Sequence, residues 1–262
     1  IVYANFISLL DDYITNESRN DTVVSLPDDF LSKCLAVKPT LVKSWYQRQP
    51  YDKYVIQEHP GCPVGCVAVA TGQIMVAAKE TFHYHDSIYY AYAIRDALKD
   101  TTSSPQTRII GGKPKVYTYD EAIDRVAKLL YWIGKDLNMN YAPDGSGAYS
   151  NDALKLIKDL GYDTEKNVLT TYVDSVVINK IFDGNLIYMD GRDFKAGEGH
   201  AWVIDGAYCC WLDPFRRIGM INKFVHCDWG WGGYDNGYYN GSVFTTTYYT
   251  FESLRYFAVK KE

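Results

Sequence analysis

The chain has 262 residues, of which 47% are hydrophobic and 15% aromatic, including 24 tyrosines. That suffices for one large domain or two modest ones. A net charge of −5 argues against nucleic acid or an anionic membrane as the main partner. No apolar run approaches the roughly 20 residues that a transmembrane helix needs.

The first residue is Ile1, and residues 1–30 lack the basic start and long apolar stretch of a signal peptide. A helix is expected over 3–14, with Ile7, Leu10 and Ile14 apolar, before the polar stretch Thr15–Asp21. Residues 1–36 read as an extension before the main domain, which takes up 37–262. Val37–Tyr54 reads as extended and aromatic, and Gln49-Pro50 disfavours helix there.

Cys66 follows the Pro63-Val64-Gly65 break and precedes an almost wholly apolar run that predicts a buried helix to about Lys79. Gly72 in its interior costs about 1 kcal/mol relative to alanine, so a neighbour should pack on the backbone there. A helix is expected near 88–98 and a loop through Ser103, Ser104, Pro105, Gly111 and Gly112. Thr118 and Glu121 form a capping-box pattern ahead of Ile123, Val126, Ala127 and Leu130. Ser150 is expected to cap the next helix and Gly161 to end it. Short strand signals then follow at 168–173, 185–189, 200–205, 207–212, 221–229, 237–245 and 254–260, with one helix near 174–182. Helices first and strands later describe an α+β fold, with a helical half packed on a sheet half and a cleft between them.

The six cysteines (Cys34, Cys62, Cys66, Cys209, Cys210 and Cys227) are too widely spread for a disulfide scaffold. Cys62, Cys66 and nearby His59 lack the second ligand pair that a zinc site requires. No metal or other cofactor is expected.

A thiol at a helix start meets the positive end of the backbone dipole, which favours thiolate. To act as a nucleophile it needs a base and a group that orients that base. His200 heads the apolar strand of Gly199-His200-Ala201-Trp202-Val203-Ile204, and Gly197 and Gly199 leave room for a substrate backbone. Asp228 is the expected acceptor for the imidazole N–H, with Trp229 or Trp231 shielding that bond from water. The Cys66 backbone N–H supplies one oxyanion donor, and Gln47 is the expected side-chain donor, with Gln49 the near competitor. A lone cysteine at a helix start is ordinarily a structural thiol. The combination with the histidine strand and the Trp-Gly-Trp segment favours a nucleophile.

Four segments, in order, resemble the streptopain family of papain-like cysteine peptidases. They are Gln47–Tyr51, the nucleophile helix Gly65–Met75, the strand Gly199–Gly206, and Trp229–Gly233 with Asp235, Gly237 and Tyr238. The resemblance implies a secreted, periplasmic or surface bacterial endopeptidase made as a zymogen. It implies protein or peptide substrates and inhibition by its own prodomain, of which residues 1–36 would be the tail or a lineage-specific extension. It also implies an apolar preference at the second residue before the scissile bond, for which Ser146 and Gly147 are the candidate lining. The family has Asn where this chain has Asp228, and the added negative charge should raise the histidine pKa and extend activity to higher pH. The stretch Cys209–Lys223 is longer than the resemblance leads one to expect, and its Trp211, Phe215, Arg216 and Arg217 suggest a flap at the cleft edge. Two other readings use the same residues: a papain-like amidase or acyltransferase acting on cell-wall or peptide amides, and a non-catalytic surface binding protein on a retired peptidase fold.

Overall fold

The structure is a computed structural model, and it describes residues 34–41, 45–99, 108–110, 113–213, 218–240 and 243–262. The expected helix over 3–14 lies outside the described residues, as do the flap residues Phe215, Arg216 and Arg217.

The helical half is built around the segment that carries the thiol. After strand β1 (Cys34–Val37) come the short helix α1 (Val55–Glu58) and helix α2 (Cys66–Ala78). Every residue of α2 from Val67 to Ala78 is buried, as expected of a helix that is apolar on all sides. Leu130 and the ring of Trp45 press against the backbone of Gly72, where a Cβ would sit 2.9 Å and 3.0 Å from them. The glycine therefore marks the close packing that the sequence suggested.

Around α2 lie the hairpin β2 (Phe82–Tyr84) and β3 (Ser87–Tyr89), helix α3 (Ala91–Leu98) and the short strands β4 (Arg108–Ile110) and β5 (Lys113–Lys115). The last pair forms a hairpin where the sequence suggested a loop. Helix α4 (Tyr119–Asp136) opens on the expected capping box: Thr118 Oγ1 accepts from Glu121 N, and Glu121 Oε2 accepts from Thr118 N. In helix α5 (Ser150–Asp159), Tyr149 rather than Ser150 is the N-cap residue. The Ser150 hydroxyl turns inward to the Tyr188 hydroxyl, 3.2 Å away. Gly161 follows the C-terminus at φ +73°, as the sequence indicated.

The sheet half comprises helix α6 (Asp174–Phe182) and strands β6 (Asn185–Asp193), β7 (Glu198–Asp213), β8 (Ile218–Asp228), β9 (Gly237–Tyr239), β10 (Phe244–Thr245) and β11 (Thr250–Lys260). They form one antiparallel sheet in the order β10-β11-β6-β7-β8-β9, and β1 adds to the later part of β7. The two expected strands 200–205 and 207–212 are one continuous strand. Residues 168–173 make no strand, only an isolated bridge from Leu169 to Tyr256.

Both faces of the sheet are buried. Leu186, Tyr188, Ala201, Val203, Phe257 and Val259 join the helical core. Ile187, Met189, Trp202, Ile204 and Ala258 pack on Val177, Ile178 and Ile181 of α6. This alternation decides which strand residues can meet α2. The β7–β8 hairpin runs away from His200: the 13 residues to Asp213 span roughly 40 Å of strand. Trp211 therefore belongs to a long hairpin, not to a flap at the cleft edge.

Cys62, Cys66, Cys209 and Cys227 are free thiols, whereas Cys210 is disulfide-bonded. The β1–β7 register sets Cys34 opposite Cys210. Leu41 N donates to the buried Asp205 carboxylate at 2.7 Å, which fastens the chain just after β1 to the sheet. Among the described residues no helix is long and apolar enough to cross a membrane.

Candidate active site

Gly65 precedes Cys66 at φ +89°, a conformation that disfavours a side chain, and a Cβ there would lie 2.8 Å from the Ser146 carbonyl and 2.9 Å from Met139 Sδ. The chain can thus turn sharply into α2 and present Cys66 as its first residue. Backbone N–H groups of Ala201, Val67 and Cys66 itself act on the sulfur and favour its charged form. The first of these belongs to β7, one residue beyond His200, so the thiol lies where the helical half meets the histidine strand. Burial pushes the Cys66 thiol up, and the three N–H groups pull it back down.

His200 is 8% exposed and enclosed by aromatic rings. Trp231 is nearest, at 4.5 Å between ring centroids, followed by Phe251 at 5.6 Å, Trp229 at 6.0 Å and Trp202 at 6.2 Å. Its Nε2 donates to the Trp229 carbonyl at 2.8 Å. A carbonyl can only accept, so this bond fixes the tautomer and leaves Nδ1 as the basic nitrogen.

The hydrogen-bond acceptor of the imidazole is therefore one residue further along than the one the sequence suggested. Asp228 is fully buried, but its Oδ1 accepts from Gly230 N at 3.0 Å and shapes the turn that aims the Trp229 carbonyl. Gly230 adopts φ +66°, and a Cβ there would meet Val69 of α2 at 2.8 Å, so this turn rests on the first turns of the Cys66 helix. The Trp229 indole N–H is held by the Asp235 carbonyl and the Tyr239 hydroxyl, at 3.0 Å and 3.2 Å. Trp231, rather than Trp229, is the ring closest to the imidazole.

With a neutral carbonyl as its partner and an apolar cage around it, His200 is pushed by burial from 6.5 down to about 4, and the bond to Trp229 offsets only part of this. The expected rise in the histidine pKa is thus reversed. Its sign sets the pH profile: an extra proton on the pair appears only on the acid side of an ordinary histidine, and loss of a proton only above an ordinary thiol. The rate of Cys66 alkylation should hold across neutral pH, with its acid limb below 6.5. Asp228→Asn should leave that limb in place, and a displacement of one pH unit or more would assign the carboxylate a direct electrostatic role.

Gln47 is half-buried and Gln49 exposed. The Gln47 carbonyl accepts from Val64 N at 2.9 Å, which holds this segment beside the entry to α2. Gly232 N donates to the Trp45 carbonyl at 2.9 Å, joining the same segment to the Trp-Gly-Trp turn. Gly199 is exposed beside His200, and a Cβ there would meet only the Gly191 carbonyl, at 3.9 Å, leaving room for a second backbone. Ser146 is buried against Gly65, and Gly147 is exposed with open space around it.

Three features of the site are not visible as side-chain motifs. Two are main-chain groups, the Trp229 carbonyl and the Ala201 N–H. The third is Asp190, a buried carboxylate whose charge acts on Cys66. An acidic residue directly after the apolar run Leu186–Met189 was the available signal for it.

A helix-borne thiol set against a histidine strand, within an α+β fold, is the arrangement of a cysteine peptidase. The family model described as Peptidase C10 matches residues 45–239, and the chain belongs to that family. Among solved structures the chain is similar to the active wild-type interpain A cysteine protease of Prevotella intermedia. The identity is 26% and the TM-score 0.57, over 90% of this chain and 98% of that one. No curated protein sequence matches significantly. The chain is a cysteine peptidase, a hydrolase of proteins or peptides.

Proposed function

We propose that Cys66 and His200 carry out the hydrolysis. His200 Nδ1 takes the thiol proton as the sulfur attacks the scissile carbonyl, and a bond forms between sulfur and carbon. The oxyanion is met by the Cys66 N–H and the Gln47 side-chain amide. The imidazolium then gives its proton to the leaving amine as the carbon–nitrogen bond breaks, leaving a thioester. Water attacks the thioester, its proton passes through Nδ1 to the departing sulfur, and the acid is released. The Trp229 carbonyl steadies the imidazole throughout, Asp228 supports that carbonyl through Gly230, and Trp231 covers the pair. Burial penalises either charge alone, so transfer of the proton within the pair is the economical route to a thiolate.

The observation that supports this reading most strongly is the packing of Cys66 against the core that includes Ala201 and Val203 of the histidine strand, because it brings the thiol to that strand. Substrate backbone would pass by Gly199, with Ser146 and Gly147 bordering the acyl side. We also read the protein as an exported bacterial endopeptidase released from a zymogen, with the peptidase domain over 37–262 and a pro-segment remnant or extension over 1–36.

The test exposes the processed protein to a proteome-derived peptide library and, separately, to isolated peptidoglycan. New amino termini in the library, absent with Cys66→Ala, are the expected result. Release of cell-wall amides alone would favour the amidase reading. Selective labelling of Cys66 by a thiol-directed peptidase inhibitor is also expected, and failure to label would favour a non-catalytic binding protein.

A further inference from the structure

Strand β7 has two edges. One pairs with β8 as far as Asp213. The other pairs with β6 only up to Ile204, and β1 takes it over from Ala207 to Cys210. β1 thus covers an edge that would otherwise offer unpaired N–H and C=O groups. Ala207 and Cys209 on this stretch are fully buried, and Val37 packs on the same core.

The chain from Val37 to Leu41 is fastened further. Gly206 lets it approach closely: a Cβ there would lie 2.9 Å from the Val37 carbonyl and 3.2 Å from Pro39 N. Asp205, 1% exposed, uses both carboxylate oxygens, accepting from Leu41 N and from His226 Nδ1, each at 2.7 Å. Lys261 Nζ donates to Thr40 Oγ1 at 3.1 Å. Removing this segment would take the Leu41 donor from a buried carboxylate, which is unfavourable.

The register sets Cys34 directly across from Cys210. Opposed residues of antiparallel strands have Cα atoms roughly 4.5–5.5 Å apart, within the roughly 4.4–6.8 Å that a disulfide spans. Cys210 is disulfide-bonded, whereas Cys62, Cys66, Cys209 and Cys227 are free thiols. Of the six cysteines in the chain, Cys34 is the one that remains.

We propose that Cys34 and Cys210 form a disulfide that clasps residues 34–41 to the sheet, and that this segment stays part of the active peptidase. The start of the peptidase domain then moves from residue 37 to Cys34 or earlier. A cut between Cys34 and Trp45 would not free the chain before it, because the sulfur–sulfur bond and the β1–β7 ladder hold it. Release of an inhibitory segment requires a cut upstream of Cys34. The bond closes most of the domain into one loop, and long loops gain the most stability from closure.

For the test, the unreduced protein is denatured, alkylated and digested, and its peptides are mapped by mass. A peptide pair joined through Cys34 and Cys210 is expected, separating when dithiothreitol supplies two electrons and two protons and returns both sulfurs to thiols. Alkylation of Cys34 before reduction overturns the proposal. Thermal melts are read with and without dithiothreitol. The wild-type midpoint should fall by about 5 °C or more on reduction, and Cys34→Ser should melt at the lower temperature in both states. A wild-type midpoint indifferent to reduction overturns the clasp. The amino terminus of the active form is then sequenced. It should lie at or before Cys34, or the active form should carry Cys34 on a peptide that reduction releases. An active form without Cys34 overturns the retention of the segment. Failure of the Cys66–His200 reading has a different signature: hydrolysis would survive Cys66→Ala, with the disulfide map and the melts unaffected.

Discussion

Cys66→Ala is expected to lower kcat/KM by roughly 10⁴-fold or more, and His200→Ala by a similar factor. The double variant should be scarcely worse than either single one, because the thiolate exists only while the imidazole holds its proton. The structure gives the reason. Burial opposes charge on the sulfur and on the ring separately, and three N–H groups around the sulfur stabilise it only once the proton has left. Single-turnover assays on purified variants measure this directly. Additive losses in the double variant would show that the two residues act independently.

Gln47→Ala is expected to reduce kcat by roughly 10²–10³-fold with little change in KM, the signature of a donor that binds the oxyanion rather than the resting carbonyl. Its backbone is pinned to Val64, two residues ahead of the nucleophile, so substitution removes the amide without freeing the loop. The exposed Gln49 provides the control. Gln49→Ala should remain within about threefold of wild type, as surface substitutions generally do. A loss at Gln49 instead of Gln47 would transfer the oxyanion role to it.

Much of this architecture was legible in the sequence because its cause is local. The Gly65 break and the apolar run after Cys66 determine a buried helix. The Thr118–Glu121 pair determines where α4 begins, and the pattern over 174–182 gave α6. Misreadings arose where tertiary partners decide. Ser150 has the composition of a cap, yet its hydroxyl is taken by Tyr188. The expected strand over 185–189 stops short, whereas β6 runs on to Asp193 because β11 and β7 pair with its polar end. At the site, the residue types that indicate chemistry were visible, but the acceptor for the imidazole was placed one residue early. A side-chain search finds Asp228; the hydrogen bond belongs to the peptide that follows.

The tether on the imidazole is part of the polypeptide itself, so exchanging an amino acid at position 229 cannot delete it. Its weak point is torsional: a substitution that swings the 229–230 linkage, even one lacking any acid, base or nucleophile, would let the ring spin and silence the enzyme. Inactivating lesions should therefore cluster at the small hinge beside Val69 as well as at the reacting pair.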